Sequence, residues 1–261
     1  MTVPAAVAHG GAGPGPDRQH NVETALSVAA EILQSGGSAI EAAVEACVEL
    51  EDDPVFNAGT GAVFRIDGSV SLDASIQTSD GRIGFVIGME DTPNPIRVAR
   101  DLLDEQINGL AGQGARLWAD ERNHVKSEVQ GRPPRGDEGD TVGVIARDLN
   151  GLLACATSTG GTSFRPAGRV GDVPLPGSGF WADESVAVAA TGVGEAITTS
   201  LLSYRVHDRF IQSSSDLRAS MEWGIDELIE TGVSVGLIGL ASQGDGVGAS
   251  NTDMPWAAWL G

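Results

Sequence analysis

The apolar positions follow two different periods, and the switches between them mark out the elements of the chain. A short apolar run at 5–9 reads as a strand. Val22, Leu26, Ala29 and Leu33 then recur at helical spacing, with Asn21 as the expected N-cap and Gly36 and Gly37 as the stop. Ser38 opens a second helix with Ile40, Val44 and Val48 on one face. Glu41, three residues on, completes a capping box, and Asp52, Asp53 and Pro54 end the helix. AVFRI at 62–66 and SVSLDASI at 69–76 predict a hairpin around Asp67 and Gly68. RIGFVIGM at 82–89 predicts a further strand. A helix follows Asn94, with Pro95 in its first turn, where a missing N–H costs little.

From about 122 to 140 the periodicity stops. The segment NHVKSEVQGRPPRGDEGD is polar and rich in glycine, proline and charge, which predicts an exposed linker. Beyond it TVGVIARD and LLACATS flank Asn150 and Gly151, a favoured two-residue hairpin turn, and VAVAA at 186–190 is another strand. Two helices carry Leu201, Leu202, Tyr204 and Phe210, then Leu217, Met221, Leu228 and Ile229, before the buried strand VGLIGLA at 235–241. Strands and helices on both sides of the linker imply an α/β (α+β) chain whose sheets are covered by helices. No internal repeat is evident.

Composition narrows the function classes. The 261 residues, 41% of them hydrophobic, suffice for one large or two small domains with a real core. Asp and Glu number 36 against 16 Lys and Arg, for a net charge of −20, and Lys126 is the only lysine. Clustered basic side chains are absent, which excludes nucleic acid and anionic membranes as expected partners. An acidic, lysine-poor surface suits a salt-rich solvent that screens self-repulsion, so a halophilic setting is an expectation. Two cysteines, Cys47 and Cys155, build no disulfide framework, and the first residues carry neither a charged nor a long apolar leader, so the expected location is cytoplasmic. No apolar run reaches the roughly 18 residues of a membrane helix. His9, His20, His124 and His207 lie far apart without metal-ligand spacing, which argues against zinc. A P-loop is excluded because its lysine follows glycine, whereas Lys126 follows Val125.

Four glycine-rich or small-polar clusters remain: 9–13, 57–61, 157–161 and 168–179. Any one of them is explained by ordinary turns. Gly139-Asp140-Thr141-Val142-Gly143 sets a threonine where the linker meets a strand. On propensity alone Thr141 is a β-branched strand residue, but as a new N-terminus it would carry its own base, an α-amine of pKa about 8. Thr191-Gly192-Val193-Gly194-Glu195 follows a strand and opens a helix. It falls short of a dinucleotide fingerprint, since Ile197 stands at the third glycine position, but its backbone N–H groups suit a developing oxyanion. Arg169 and Asp172, three apart on a glycine-bounded loop, read either as a surface ion pair or as a clamp for a zwitterion.

Taken in order, HGGAG (9–13), LEDDPVFNAGTGAVF (50–64), GDTVGVIARD (139–148), ATSTGG (156–161), GRVGD (168–172) and ATGVGE (190–195) resemble the plant-type asparaginase and isoaspartyl peptidase family of N-terminal nucleophile hydrolases. The resemblance covers nearly the whole chain. It implies a single domain over 1–261 with a four-layer αββα fold, cut by itself between Asp140 and Thr141 into an α subunit (1–140) and a β subunit (141–261). It further implies that Thr141 is the nucleophile, that Thr159 supports it, and that Thr191 and Gly192 form the oxyanion hole. By the same resemblance Asn57 lies near the active threonine, Arg169 holds the substrate α-carboxylate, and Asp172, with Gly192 and Gly194, holds the α-amine. The carbonyls of Leu50, Glu51, Asp53, Phe56, Ala58 and Thr60 would wrap a structural sodium ion. The reaction would need no catalytic cofactor, its substrate would be asparagine or a β-aspartyl dipeptide, and the assembly would be a dimer of cleaved heterodimers.

Val173 replaces the serine common after GRVGD, and SNTDMPW lacks the glycine common after the Asn-Thr pair. PLPGSGFWAD at 174–183 partly resembles glycosylasparaginases, which leaves a glycosylasparaginase-like amidase as an alternative. A non-cleaving amino-acid-binding homologue is the alternative outside enzymes. A serine hydrolase of the G-x-S-x-G type has no matching motif.

Overall fold

The structure, a computed structural model, describes residues 2–135, 141–213 and 216–261. The chain runs β1 (Ala5–His9), α1 (Gln19–Gln34), α2 (Ala39–Asp52), β2 (Leu72–Thr78), β3 (Ile83–Met89), α3 (Pro95–Asp101), β4 (Gly109–Ala111) and α4 (Gly112–Glu121). It continues through β5 (Val142–Arg147), β6 (Leu153–Thr159), β7 (Phe180–Ala182), β8 (Val186–Gly192), α5 (Gly194–Ser200), α6 (Leu202–Ser213), α7 (Leu217–Leu228), β9 (Val235–Ala241), β10 (Val247–Ser250) and β11 (Trp256–Leu260).

Among the described residues the strands form two sheets, ordered β11-β1-β5-β6-β2-β3-β4 and β10-β9-β8-β7. All neighbours are antiparallel except β3 and β4. Alternation along the strands builds the layers. On β8, Val188 and Ala190 face Leu202, Met221 and Ile225 of α6 and α7, while Ala187 and Ala189 face the other sheet. Between the sheets lie Val7, Ile145, Phe180, Ile238 and Leu240. The outer face of the larger sheet packs Ala74, Ile76, Val142 and Val144 against Val22, Leu26, Cys47 and Ile96 of the first helices. Each face is thus buried against a helix layer or the opposite sheet, which gives the expected αββα sandwich. Among the described residues no helix is long and apolar enough to cross a membrane.

Local chemistry sets several boundaries as expected. Ser38 caps α2, its side chain accepting from the Glu41 N–H, and Pro95 begins α3. A hairpin does join β5 to β6 at Asn150 and Gly151, but over a longer loop than a two-residue turn: the Asp148 N–H donates to the Leu152 carbonyl (3.1 Å) and the Gly151 N–H to the Asp148 carbonyl (3.0 Å).

Three expectations need correction. Asn21 is not a cap: α1 begins at Gln19 after Arg18, and Asn21 Nδ2 instead donates to Asp53 Oδ2 at 2.6 Å, tying α1 to the end of α2. The hairpin at 62–76 exists only as a turn, in which the Arg65 N–H reaches the Ser69 carbonyl at 2.9 Å. Residues 62–66 form no strand, since β2 starts at Leu72 and both its edges are taken by β3 and β6. The linker is largely exposed but pinned: the Arg132 N–H donates to the Ala62 carbonyl (2.9 Å) and the Phe64 N–H to the Arg132 carbonyl (3.1 Å). Its end, residues 136–140, lies outside the described residues, and so does the Asp140–Thr141 junction expected to be cut.

Candidate active site

The interior between the sheets is apolar over most of its length and turns polar at one end. Val142, the first residue of β5, pairs with Ser158 of β6, so Thr141 immediately precedes that pair; Asp73 of β2 pairs with Thr159 from the other side. Val142 and Ala74 face the helices, so Asp73 and its strand partner Thr159 face the sandwich interior, with Thr141 immediately before β5 beside them. All three are buried. Thr159 Oγ1 accepts from the Gly161 N–H at 2.9 Å. One step further in, Ser75 and Thr157 share a hydroxyl hydrogen bond of 2.6 Å, and Ser75 Oγ donates to the Val173 carbonyl at 2.7 Å. That bond fastens the loop carrying Asp172 onto β2.

Asn57 is completely buried and bonded through its amide and its carbonyl. Its Nδ2 donates to the Gly161 carbonyl (2.5 Å), its Oδ1 accepts from the Val63 N–H (2.9 Å) and its carbonyl from the Gly160 N–H (2.8 Å). It therefore locks the turn after β6 beside Thr159. In the preceding segment the Glu51 carboxyl accepts from Ser158 Oγ (2.6 Å) and the Ile96 N–H (3.2 Å), and burial pushes its pKa up to about 8. The segment is also closed by its own bonds, from the Phe56 N–H to the Asp53 carbonyl (3.2 Å) and from the Gly61 N–H to the Ala58 carbonyl (3.1 Å). Among the described residues no group of three or more His, Cys, Asp or Glu side chains is placed to hold a metal ion.

The second sheet brings Thr191 and Gly192 to the same region through the HGGAG loop. Thr191 Oγ1 accepts from the Ala12 N–H at 3.2 Å, so its own proton is directed elsewhere. The loop is fixed on both sides: the Gly10 N–H reaches the Pro255 carbonyl (3.0 Å), the Gly13 N–H the Asp253 carbonyl (2.8 Å), and the Gly11 N–H His9 Nδ1 (3.1 Å). Burial, reinforced by Arg18, pushes His9 down to about 3, so it is a neutral structural acceptor. Gly192 adopts φ +128°, which favours glycine, and its Cα faces the Ser234 carbonyl too closely for any side chain.

Arg169 is held by a residue that sequence reasoning did not single out. Its Nε and Nη2 donate to Glu195 at 3.0 and 2.9 Å, so the ion pair runs to Glu195 in the first turn of α5 rather than to Asp172. A guanidinium has five N–H donors, and this side-on pairing leaves the Nη1 and Nη2 end for a second carboxylate. Space for it is made by absent side chains: a Cβ on Gly171 would lie 2.6 Å from Nη1, and one on Gly194 would lie 2.6 Å from Nη2 and 2.8 Å from Asp172 Oδ1. Gly194 thus sits where Arg169 and Asp172 converge.

Asp172 is buried, and among the described residues its Oδ2 has no partner. Burial pushes its pKa up to about 7, Arg169 opposes that shift, and Glu195 and Asp73 add to it. A buried carboxyl oxygen with an unused lone pair beside an arginine is suited to accept from a cation or an N–H donor. Asp73 was the other omission. Its only signal was the polar alternation Asp73, Ser75, Gln77 within an otherwise apolar strand.

Comparison with known proteins identifies the family. The profile of the family described as Asparaginase matches residues 2–131 and 121–260. The chain is 37% identical to the plant-type L-asparaginase of Pyrobaculum calidifontis, over 97% of this chain and 95% of that protein. It is 36% identical to the isoaspartyl peptidase/L-asparaginase of Homo sapiens (98% and 92%) and 33% identical to the isoaspartyl peptidase of Escherichia coli (96% and 91%). With its αββα fold and matches along nearly its full length, the chain belongs to the asparaginase family that includes plant-type L-asparaginases and isoaspartyl peptidases.

Proposed function

We propose that the chain hydrolyses the side-chain amide of L-asparagine to aspartate and ammonia, and releases aspartate from β-aspartyl dipeptides by the same route, after cutting itself before Thr141. The observation that carries the reading is the Arg169 and Asp172 pair: a guanidinium end left open by Glu195 beside an unpartnered buried carboxyl, the complement of an α-amino acid. Arg169 takes the α-carboxylate and Asp172, with Gly192 and Gly194 backbone, the α-ammonium. Both substrates offer this same aspartyl end and differ in the leaving group.

The chemistry follows from an N-terminal threonine. The Thr141 Oγ attacks the side-chain carbonyl while its α-amine takes the hydroxyl proton, and the oxyanion receives the Thr191 O–H and the Gly192 N–H. Collapse breaks the C–N bond, the proton passes from the α-ammonium to the leaving nitrogen, and an aspartyl ester of Thr141 remains. Water, activated by the same amine, hydrolyses the ester. Thr159, next along β6 after Ser158, the strand partner of Val142, supports the nucleophile, and Asn57 holds the turn behind it. L-Aspartate is expected to compete with asparagine and with β-aspartyl dipeptides at one inhibition constant. Two constants differing tenfold would mean that the substrates do not share this subsite.

The proposal extends to three coarser points. The functional unit is a dimer of cleaved heterodimers, to be read from its mass in solution. A cytoplasmic setting is supported by Cys47 and Cys155, both free and buried, and fractionation of the source cells would test it. The carbonyls of Leu50, Glu51, Asp53, Phe56, Ala58 and Thr60 are oxygen donors of the kind a structural Na⁺ takes, and equal melting midpoints in sodium and choline chloride would remove that ion from the account.

A further inference from the structure

Ser75 and Thr157 are buried hydroxyls that the reaction above leaves without a task. They are cross-strand partners on β2 and β6, and because Ala74, Ile76 and Ala156 pack on the helices, both face the space between the sheets. A hydroxyl in that apolar layer costs stability unless it is hydrogen-bonded, so its partners are informative. Each hydroxyl has a single proton to give. Ser75 Oγ donates its own to the Val173 carbonyl at 2.7 Å, so across the 2.6 Å contact between the two side chains Thr157 Oγ1 donates and Ser75 Oγ accepts. The chain of bonds therefore starts on β6, two residues before Thr159, crosses β2, and ends on the backbone one residue past Asp172. Successive bonds of this kind polarise and strengthen one another.

The second sheet holds Asp172 from the other side. The Asp172 carbonyl accepts from the Leu175 N–H (2.9 Å) and the Gly179 N–H (3.2 Å), and the Gly179 carbonyl accepts from the Ala190 N–H of β8 (2.8 Å). The approach is close: a Cβ on Gly179 would lie 2.6 Å from the Asp172 carbonyl oxygen. Two residues along β2 from Ser75, Gln77 Nε2 donates to the Ala182 carbonyl at 2.9 Å and fastens the far end of the same segment. The step from Asp172 to Val173 is thus suspended between β8, which leads to Thr191 and Gly192, and β6, which leads to Thr159.

We propose that Ser75 is a positioning residue: through the Val173 carbonyl its hydroxyl, oriented by Thr157, fixes where the Asp172 carboxyl stands relative to β6, and so sets the affinity for the aspartyl end of every substrate. The inference rests on the reading of Arg169 and Asp172 as the substrate clamp. Without the Ser75 hydroxyl the Val173 carbonyl loses its side-chain donor inside a buried layer, and the backbone turns to find another, carrying Asp172 with it. Substrate and the product aspartate share the clamped end, so both bind more weakly. Self-cleavage attacks the Asp140–Thr141 peptide, which presents no free aspartyl end to the clamp, and is insensitive to the shift.

The test combines calorimetric binding of L-aspartate by the mature protein, steady-state kinetics on asparagine and the rate of self-cleavage, for Ser75→Ala, Thr157→Val and Thr157→Ser. Ser75→Ala is expected to raise the Kd for L-aspartate and the KM for asparagine together by about tenfold, with kcat and self-cleavage within about twofold. Thr157→Val, of nearly the same shape, leaves the Ser75 donor in place but unoriented and should raise Kd about threefold. Thr157→Ser keeps the hydroxyl and should restore the original Kd. An unchanged Kd in folded, self-cleaved Ser75→Ala overturns the proposal, and so does an equal loss of affinity, kcat and self-cleavage, the mark of general damage. If Ser75→Ala does not mature, the two Thr157 variants decide by the same readings; if Thr157→Val does not mature either, the hydroxyls serve folding and the proposal falls. Asp172→Asn separates the two levels. Intact L-aspartate binding there refutes the clamp itself, whereas lost binding there with an unchanged Kd in Ser75→Ala refutes the positioning alone.

Discussion

Thr141→Ala is expected to yield a single uncut chain that releases no aspartate above background, a loss of about a thousandfold or more. The magnitude follows from the double use of one hydroxyl. The same Oγ is assigned to self-cleavage and to attack on substrate, so its removal also keeps the α-amine, the only base assigned to the reaction, locked in a peptide bond. The fold should survive. Thr141 lies one residue before β5, and the strand pairing from Val142 to Arg147 and the packing of Val142 and Val144 on α1 and α2 do not depend on its side chain. Circular dichroism and melting of the variant, compared with the unsubstituted protein, check that the loss is chemical. Retained release of aspartate from asparagine would refute the assignment.

Arg169→Leu carries the second largest expected effect, a fall in kcat/KM of about a hundredfold to ten-thousandfold, expressed mainly as a rise in KM. Hydrogen bonds to charged groups are worth about 1.5–3 kcal/mol each, and the open end of the guanidinium offers two. The stability cost should be small, because the partner Glu195 is largely exposed and water can take over its carboxylate. Arg169→Lys is expected to fall between. An ammonium keeps the charge but cannot pair side-on with Glu195 while presenting a flat two-donor end to the substrate. Steady-state kinetics with asparagine measures both. An unchanged KM in Arg169→Leu would move the carboxylate site elsewhere.

Local sequence signals located most of the elements because they act locally. Ser38 with Glu41, Pro95 after Asn94, and the Asn150 and Gly151 turn each fix the backbone within four residues. Where such signals misled, a distant residue had recruited the group. Asn21 has the chemistry of a cap but spends its amide on Asp53, 32 residues away, and α1 starts earlier. The Asp67 and Gly68 turn forms, but a turn cannot say which strands its arms will join, and β2 is enclosed by β3 and β6.

The site shows the same division. Thr141, Asn57, Arg169, Asp172 and the glycines around 192 stood out as motifs. Glu195, the partner of Arg169, lies 26 residues away, beyond the reach of any local pattern. Only the packing of α5 against the clamp loop makes Glu195 the partner. Asp73 was illegible for a different reason: an acidic residue in an alternating strand ordinarily faces water, and nothing local shows that the far side of β2 is roofed by a second sheet.

The central claim is that Thr141 becomes a new N-terminus, and intact-mass spectrometry of the purified protein under denaturing conditions tests it most directly. The account predicts two fragments, residues 1–140 and 141–261, the second with an N-terminal threonine, and their appearance together with the onset of aspartate release. A protein that releases aspartate while remaining one uncut chain of 261 residues would contradict it.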